Sequence, residues 1–236
     1  MTRRFDAVLF DAGGVLVVPD PHQTVIALSP FGATLETERH VRAHWAAMAA
    51  LEDDHGHGTA DTLERRSWSA YHHTFAGIVG VSPSVMDEAA DALRAIFTPY
   101  LWTHPLAISV AALARLYRAD VPMGVVSNAD GQIEHTLRYR GVCQVGAGAG
   151  VPVSCVVDSH VVGAAKPDPL IFDPALAALG LPPERIAYVG DSVINDVGGA
   201  TKAGLVPLLF DPYGDRADLP GIERIASLHE LVALFR

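Results

Sequence analysis

Cysteine is scarce: Cys143 and Cys155 are the only two in 236 residues. A disulfide framework or a thiolate metal cage needs more of them at closer spacing, so the chain reads as one from a reducing compartment without a cysteine metal site. Long apolar runs are missing as well. No stretch comes near the roughly 18 residues of a membrane span. Met1-Thr2-Arg3-Arg4 leads into a short strand rather than into the apolar region of a signal peptide. The expectation is a cytoplasmic protein with no membrane partner. Positive charge is in the minority, 17 Lys and Arg against 27 Asp and Glu, for a formal net charge of -10. Wholesale nucleic-acid binding needs a basic face, and no nucleic-acid partner is expected. A small anion is not excluded, because one lysine and a metal ion can reverse the field inside a site.

What is present is ordinary globular material. Half of the residues are hydrophobic and 19% are charged, in a chain long enough for a full core and one or two domains. The organising stretch is the first. The apolar run Ala7 to Phe10 ends at the carboxylate of Asp11, and Gly13 and Gly14 follow. A short apolar run bounded by turn residues predicts a buried strand. In an open α/β sheet the chemistry gathers at the carboxyl ends of strands, which is where Asp11 falls. The two glycines let the backbone turn sharply and approach a ligand.

From about Val18 to Thr103 strand alternation disappears. Helical spacing over 35–51, through Val41, Trp45, Met48 and Leu51, over 61–71 and over 86–97 predicts an all-helical insertion, with Ser84 or Asp87 as possible caps. The α/β pattern then resumes. Helices are predicted over 106–119, 133–139, 169–179 (closed by Gly180), 197–203 and 228–235. Strands are predicted over 123–128, 153–158, 185–191 and 205–210, with a short edge strand near 222–226. The glycine-rich 141–150 reads as a loose loop. Alternating strands and helices imply a parallel sheet with helices on both faces. The domain organisation expected is a core of 1–17 with 104–236 and a helical domain of 18–103.

The strand ends can be collected: Asp11, then Ser127-Asn128, then Lys166, then Asp191 with Asp196. On a parallel sheet these ends share one edge. Carboxylates beside a hydroxyl and an ammonium suit phosphoryl transfer: hard oxygens hold Mg²⁺, one carboxylate attacks phosphorus, and Ser127 and Lys166 hold the phosphoryl oxygens.

In order, Asp11-Ala12-Gly13-Gly14-Val15-Leu16, Val126-Ser127-Asn128, Lys166-Pro167-Asp168-Pro169 and Gly190-Asp191-Ser192-Val193-Ile194-Asn195-Asp196 resemble the haloacid dehalogenase (HAD) superfamily, in its branch with a small helical cap. The resemblance covers essentially the whole chain and implies a HAD-like, Rossmann-type fold whose cap opens and closes. It implies an aspartyl-phosphate on Asp11, and Mg²⁺ held by Asp11, the Gly13 carbonyl, Asp191 and Asp196. It also implies a phosphoryl site of Ser127, Asn128, Lys166 and Gly14. The expected substrate is a small phosphorylated metabolite. One departure stands out: phosphatases of this family usually carry a second Asp two residues after the nucleophile, and here that position is Gly13. The loss removes acid–base help typically worth about 10²–10⁴-fold. Two alternatives follow: a 2-haloacid dehalogenase-type hydrolase using the same Asp, or a phospho-ligand-binding regulatory protein that does not turn over. Dehalogenases of the superfamily need no metal and generally lack the Asp of the fourth motif, which Asp191 retains. Relatives that form a Schiff base use a cap lysine, and 18–103 contains no lysine.

Other candidates carry less. His22 could reach the site from its entrance, though a solvated loop histidine is the plainer reading. His55 and His57 lack a third metal ligand. His72-His73 reads as surface or packing, and Trp45, Trp68 and Trp102 as core of the helical domain. Asp168 is an anchor for Lys166 or a helix N-cap. Asp158 reads as structural, Asp211 as too far along the sheet, Lys202 as solvated, and Asn195 as orienting Asp196 or helping its loop turn.

Overall fold

All four residues of β1 (Ala7–Phe10) are buried. Successive strand side chains point to opposite faces, so both faces of this strand are covered. The computed structural model describes residues 3–53 and 60–235. The chain divides into two compact units, Met1–Val17 with Pro105–Arg236, and Val18–His104. After β1 come the turn at Gly14, whose φ of 68° suits a residue without Cβ, and the two-residue strand β2 (Val17–Val18).

The unit Val18–His104 is built on helices α1 (Pro21–Leu28), α2 (Thr37–Asp53), α3 (Ala60–Ile78) and α4 (Met86–Ile96). Asp20 caps α1, accepting from the His22 N–H, with Pro21 at the first helical position. The core of this unit gathers Leu28, Ala43, Ala47, Tyr71, Phe75 and Leu93. Trp45 is buried, and Trp68 and Trp102 pack edge-on or tilted against Phe97, so the tryptophans serve packing. The helix expected over 61–71 continues to Ile78. Neither Ser84 nor Asp87 caps α4: Val85 holds that position without a side-chain bond. The Ser84 hydroxyl pairs instead with Ser82 at 2.8 Å, and the Asp87 carboxylate faces His73 Nε2 at 2.9 Å. The His55 and His57 pair lies outside the described residues.

His72 is 4% exposed, ringed by Trp68, Tyr71 and Phe97, and its Nε2 has no hydrogen-bond partner. Burial pushes its imidazole down to about 4, with the Arg94 charge acting in the same direction. Between the ordinary value of 6.5 and about 4 the unfolded chain takes up a proton that the folded chain refuses. Stability therefore falls as pH drops through that window, by on the order of 2 kcal/mol, and no further below it. His72→Phe should flatten this slope. Thermal midpoints followed from pH 6.5 down to pH 4 test it, and equal slopes in both proteins would clear His72 of the effect.

β3 (His104–Pro105), which pairs with β2, straddles the boundary between the units, and the other unit resumes with α5 (Ala107–Arg118). There follow β4 (Met123–Ser127), α6 (Ile133–Tyr139), β5 (Cys143–Val145), β6 (Val151–Val153), β7 (Cys155–Asp158) and α7 (Ser159–Val162). The chain closes with α8 (Asp173–Leu179), β8 (Ile186–Gly190), α9 (Gly198–Lys202), β9 (Val206–Phe210), β10 (Arg224–Ile225) and α10 (Leu228–Leu234). The main sheet has six strands in the order β10-β9-β8-β1-β4-β7, all paired in parallel. It is the expected α/β core, with β1 flanked by β8 and β4. One face is filled by Ala7, Leu9, Val126, Ile171, Phe172 and Tyr188. Among the described residues no helix is long and apolar enough to cross a membrane.

The segment 141–150 is not a loose loop. It holds β5 and the turn into β6, two parallel strands with Cys143 opposite Val151. Gln144 is buried and supplies what the glycines cannot. Its amide donates to the Gly146 and Gly150 carbonyls at 3.2 and 3.0 Å, and its Oε1 accepts from Gly150 N–H at 2.8 Å. The strand expected over 153–158 breaks at Ser154, whose N–H turns to the Met123 carbonyl. The helix expected over 169–179 begins as a 3-10 turn, Pro169–Phe172, before α8. Gly180 ends it in the left-handed region at φ 62°.

Candidate active site

Asp11 follows β1 directly. Its N–H donates to the Val189 carbonyl of β8 at 2.8 Å, which ties the residue to the centre of the sheet. Its Oδ1 accepts from the N–H of Ala12 at 2.7 Å. Ser127 closes the neighbouring strand β4 and is buried. Gly190 closes β8 on the other side and delivers Asp191. Parallel strands thus bring Asp11, Ser127 and Asp191 to one edge of the sheet.

Lys166 joins them. Its ammonium is buried and makes three contacts: Asp11 Oδ1 at 2.9 Å, Asp196 Oδ1 at 2.6 Å and the Tyr188 hydroxyl at 2.8 Å. Oxygens of Asp11, Asp191 and Asp196 all lie within 4.8 Å of one another. Burial pushes the Asp11 carboxyl up to about 7; the Lys166 charge pulls it down, and Asp196 and Asp191 push it up. Lys166 itself is held above its ordinary value: burial lowers it, and Asp11 and Asp196 more than offset that. Two carboxylates share the one ammonium and the third, Asp191, lies close to both of them, so acidic groups outnumber the buried cation. Their hard oxygens are the donor set that Mg²⁺ takes, so this group fits such an ion.

Local backbone geometry sets Asp196. Val193–Val197 form a π-helical turn in which the Ser192 carbonyl accepts from the N–H groups of both Asp196 and Val197. Ser192 Oγ accepts from Asn195 N–H at 3.0 Å, and Ser192 N–H donates to Asp196 Oδ2 at 2.9 Å. Asn195 therefore helps the loop turn through its backbone. The short helix expected over 197–203 is this turn followed by α9.

Asn128 is engaged differently from a ligand contact. Its carboxamide accepts from Lys166 N–H at 2.8 Å and donates to the Lys166 carbonyl at 2.9 Å, pinning the lysine's backbone. Asp168 caps the turn after Lys166, accepting from Leu170 N–H at 3.0 Å. Asp158 is structural: it accepts from the N–H groups of Gly131, Ile133 and His160. Asp211 binds the backbone of Asp215 and Arg216 within its own loop. Lys202 is exposed, 3.4 Å from the Pro167 carbonyl. His22 opens α1 in the other unit. Tyr188 was not among the sequence candidates. A tyrosine inside Ile186-Ala187-Tyr188-Val189-Gly190 reads as core, and only the convergence of β8 with Lys166 reveals its hydroxyl.

The model of the haloacid dehalogenase-like hydrolase family matches residues 5–204. The chain belongs to this family. It is 30% identical over 184 residues to the haloacid dehalogenase-like hydrolase domain-containing protein 3 of Danio rerio, covering 75% of this chain and 72% of that one. It is 26% identical to the pyrimidine 5'-nucleotidase YjjG of Escherichia coli over 98% of both chains. A crystal structure of a HAD phosphatase from Thermococcus onnurineus superposes with a TM-score of 0.57 at 19% identity, covering 97% of each chain. A dehalogenase structure with an intermediate complex gives 0.59 at 19% identity, covering 100% of this chain and 99% of that one, which shows the shared fold. This HAD-like protein is a hydrolase whose relatives include phosphatases.

Proposed function

We propose that this HAD-like hydrolase is a Mg²⁺-dependent hydrolase of small phosphate monoesters that works through an aspartyl-phosphate on Asp11. The observation that carries the reading is the set of Asp11, Asp191 and Asp196 oxygens within 4.8 Å of one another, with the Lys166 ammonium between two of these carboxylates. A carbon-centred displacement by Asp11 could use one further carboxylate to activate water on the ester, whereas a cluster of three is the oxygen set that suits a divalent cation. Asp11, Asp191, Asp196 and the Gly13 carbonyl would hold Mg²⁺. When bound, the ion supplies charge neutralisation for the phosphoryl oxygens and keeps the carboxylates ionised.

In this reading an Asp11 carboxylate oxygen attacks phosphorus, the bond to the leaving oxygen breaks, and that oxygen departs with the electron pair. Water then attacks the phosphorus of the acyl phosphate, and Asp11 regains its carboxylate as inorganic phosphate leaves. Ser127 and Lys166 hold the phosphoryl oxygens through both steps, with Gly14 bringing backbone close to them. Gly13 offers no side chain to protonate the departing oxygen, so esters with a stable leaving anion are favoured. The helical unit is read as the family's cap, the source of selectivity among phosphorylated metabolites.

Release of phosphate from an activated aryl phosphate, measured with Mg²⁺ and with chelator, tests the reading. Metal-dependent release supports it and directs a screen of nucleoside and sugar phosphates. No release, with halide freed from a 2-haloacid instead, would replace it with dehalogenase chemistry. A phosphoryl group that persists on Asp11 would replace it with a regulatory role.

A further inference from the structure

We propose that Tyr188 is a positioning residue of this site: its hydroxyl holds the Lys166 ammonium in place while the lysine's ionic partners are drawn into other contacts. The proposal rests on the phosphoryl-transfer reading above. An ammonium has three N–H donors. In Lys166 each finds one oxygen, on Asp11, Asp196 and Tyr188. A phosphoryl oxygen can gain an N–H only if one of these contacts yields. Asp11 has to turn an oxygen toward phosphorus. Asp196 belongs to the carboxylate set that suits a cation. The Tyr188 hydroxyl carries no charge and has no place in that set, so it is the partner that stays.

The hydroxyl is held for this task. The Tyr188 ring is fully buried on the face it shares with Leu9 and packs edge-on against Phe172, with ring centroids 5.0 Å apart. Its oxygen lies 2.9 Å from the Val126 carbonyl and 3.1 Å from Asp196 Oδ1. Its single proton goes to one of these acceptors, which leaves lone pairs for the Lys166 N–H. A phenylalanine would fill the same core space. A buried hydroxyl is costly unless bonded, and this one is bonded on every side. Asn128 fixes the backbone of Lys166, and Tyr188 fixes its far end.

Tyr188→Phe keeps the ring and removes only the hydroxyl. Lys166 and Lys202 are the only lysines in the sequence. Lysine labelled with ¹³C at its ε-carbon therefore gives two signals, which Lys202→Arg assigns. In Tyr188→Phe the Lys166 signal should move and the Lys202 signal should stay. The affinity for inorganic phosphate, measured by calorimetry with Mg²⁺ present, should fall about 10-fold, the scale of one hydrogen bond to a charged group. With an aryl phosphate, kcat should fall by more than KM changes. Unchanged phosphate affinity in the variant overturns the proposal whatever the lysine signal does. A wild type that binds no phosphate at all overturns the phosphatase reading instead, so the two failures are distinct. Should Tyr188→Phe not fold, the wild type decides. A proton contact between the Lys166 ε-methylene and the Tyr188 ring should persist when Mg²⁺ and phosphate are added, and its loss overturns the proposal.

Discussion

Asp11→Asn should lower turnover of an aryl phosphate by at least about 10³-fold, since an amide cannot serve as the attacking oxyanion. The same variant should fold as well as the wild type or better. Asn is isosteric, and its Oδ1 can keep the bond from Ala12 N–H seen at 2.7 Å. The substitution removes one negative charge from a buried group where Asp191 and Asp196 already repel it. Lys166 keeps Asp196 and Tyr188 as partners. The loss of charge should also weaken Mg²⁺ binding, seen as a smaller rise in thermal midpoint when the ion is added. Phosphate release and melting curves on the same preparations decide the matter. A variant that turns over at nearly the wild-type rate would remove Asp11 as nucleophile.

Gly190→Ala should break the site through packing. A Cβ at residue 190 would overlap Cβ, Cγ and Oδ2 of Asp196. β8 has no room to retreat, because it is paired with β1 on one side and β9 on the other. Asp196 must therefore swing out, giving up the Lys166 ammonium at 2.6 Å and the Ser192 N–H at 2.9 Å. Overpacking and a half-stripped buried ion pair together should cost about 2–4 kcal/mol. Stabilisation by Mg²⁺ should disappear along with activity. The neighbouring Gly199→Ala is a useful contrast: its nearest clash, with Pro167 Cα, is at 3.3 Å and calls only for a small adjustment. Urea midpoints for both variants test this, and a Gly190→Ala protein within about 0.5 kcal/mol of wild type would refute it.

The parallel sheet could be read from the sequence because its strands are short apolar runs with polar ends: Ala7–Phe10 before Asp11, and Met123–Ser127 before Asn128. A strand buried on both faces has no alternation to mislead the reader. The convergence of Asp11, Ser127 and Asp191 followed from the sheet, since parallel strands finish at one edge; Lys166, beyond α7, and Asp196, in the π-helical turn, are brought in by the loops that follow β7 and β8. Features carried by a single side chain were hidden. Gln144 turns a glycine run into two paired strands, and a glycine run reads as loop. The bond of the Asn128 carboxamide to the backbone of Lys166 was hidden because the two residues are 38 positions apart. Tyr188 looked like core because its ring is core; only the hydroxyl belongs to the site. β2 and β3 are two residues each, too short for any period to register.

The π-helical turn at Val193–Val197 carries a consequence for chain length. Ser192 accepts from both Asp196 and Val197, so the turn holds one residue more than a regular α-turn would. Removing that residue would restore α-geometry and rotate everything beyond it by about 100° about the helix axis, and Asp196 would no longer reach the Lys166 ammonium. An added residue would rotate it the other way. Val193 and Ile194 are only half-buried and can change identity at little cost. Between Asp191 and Asp196, then, the protein can vary its spelling but not its count: substitutions can accumulate there, while a single-codon insertion or deletion takes the acidic pair apart.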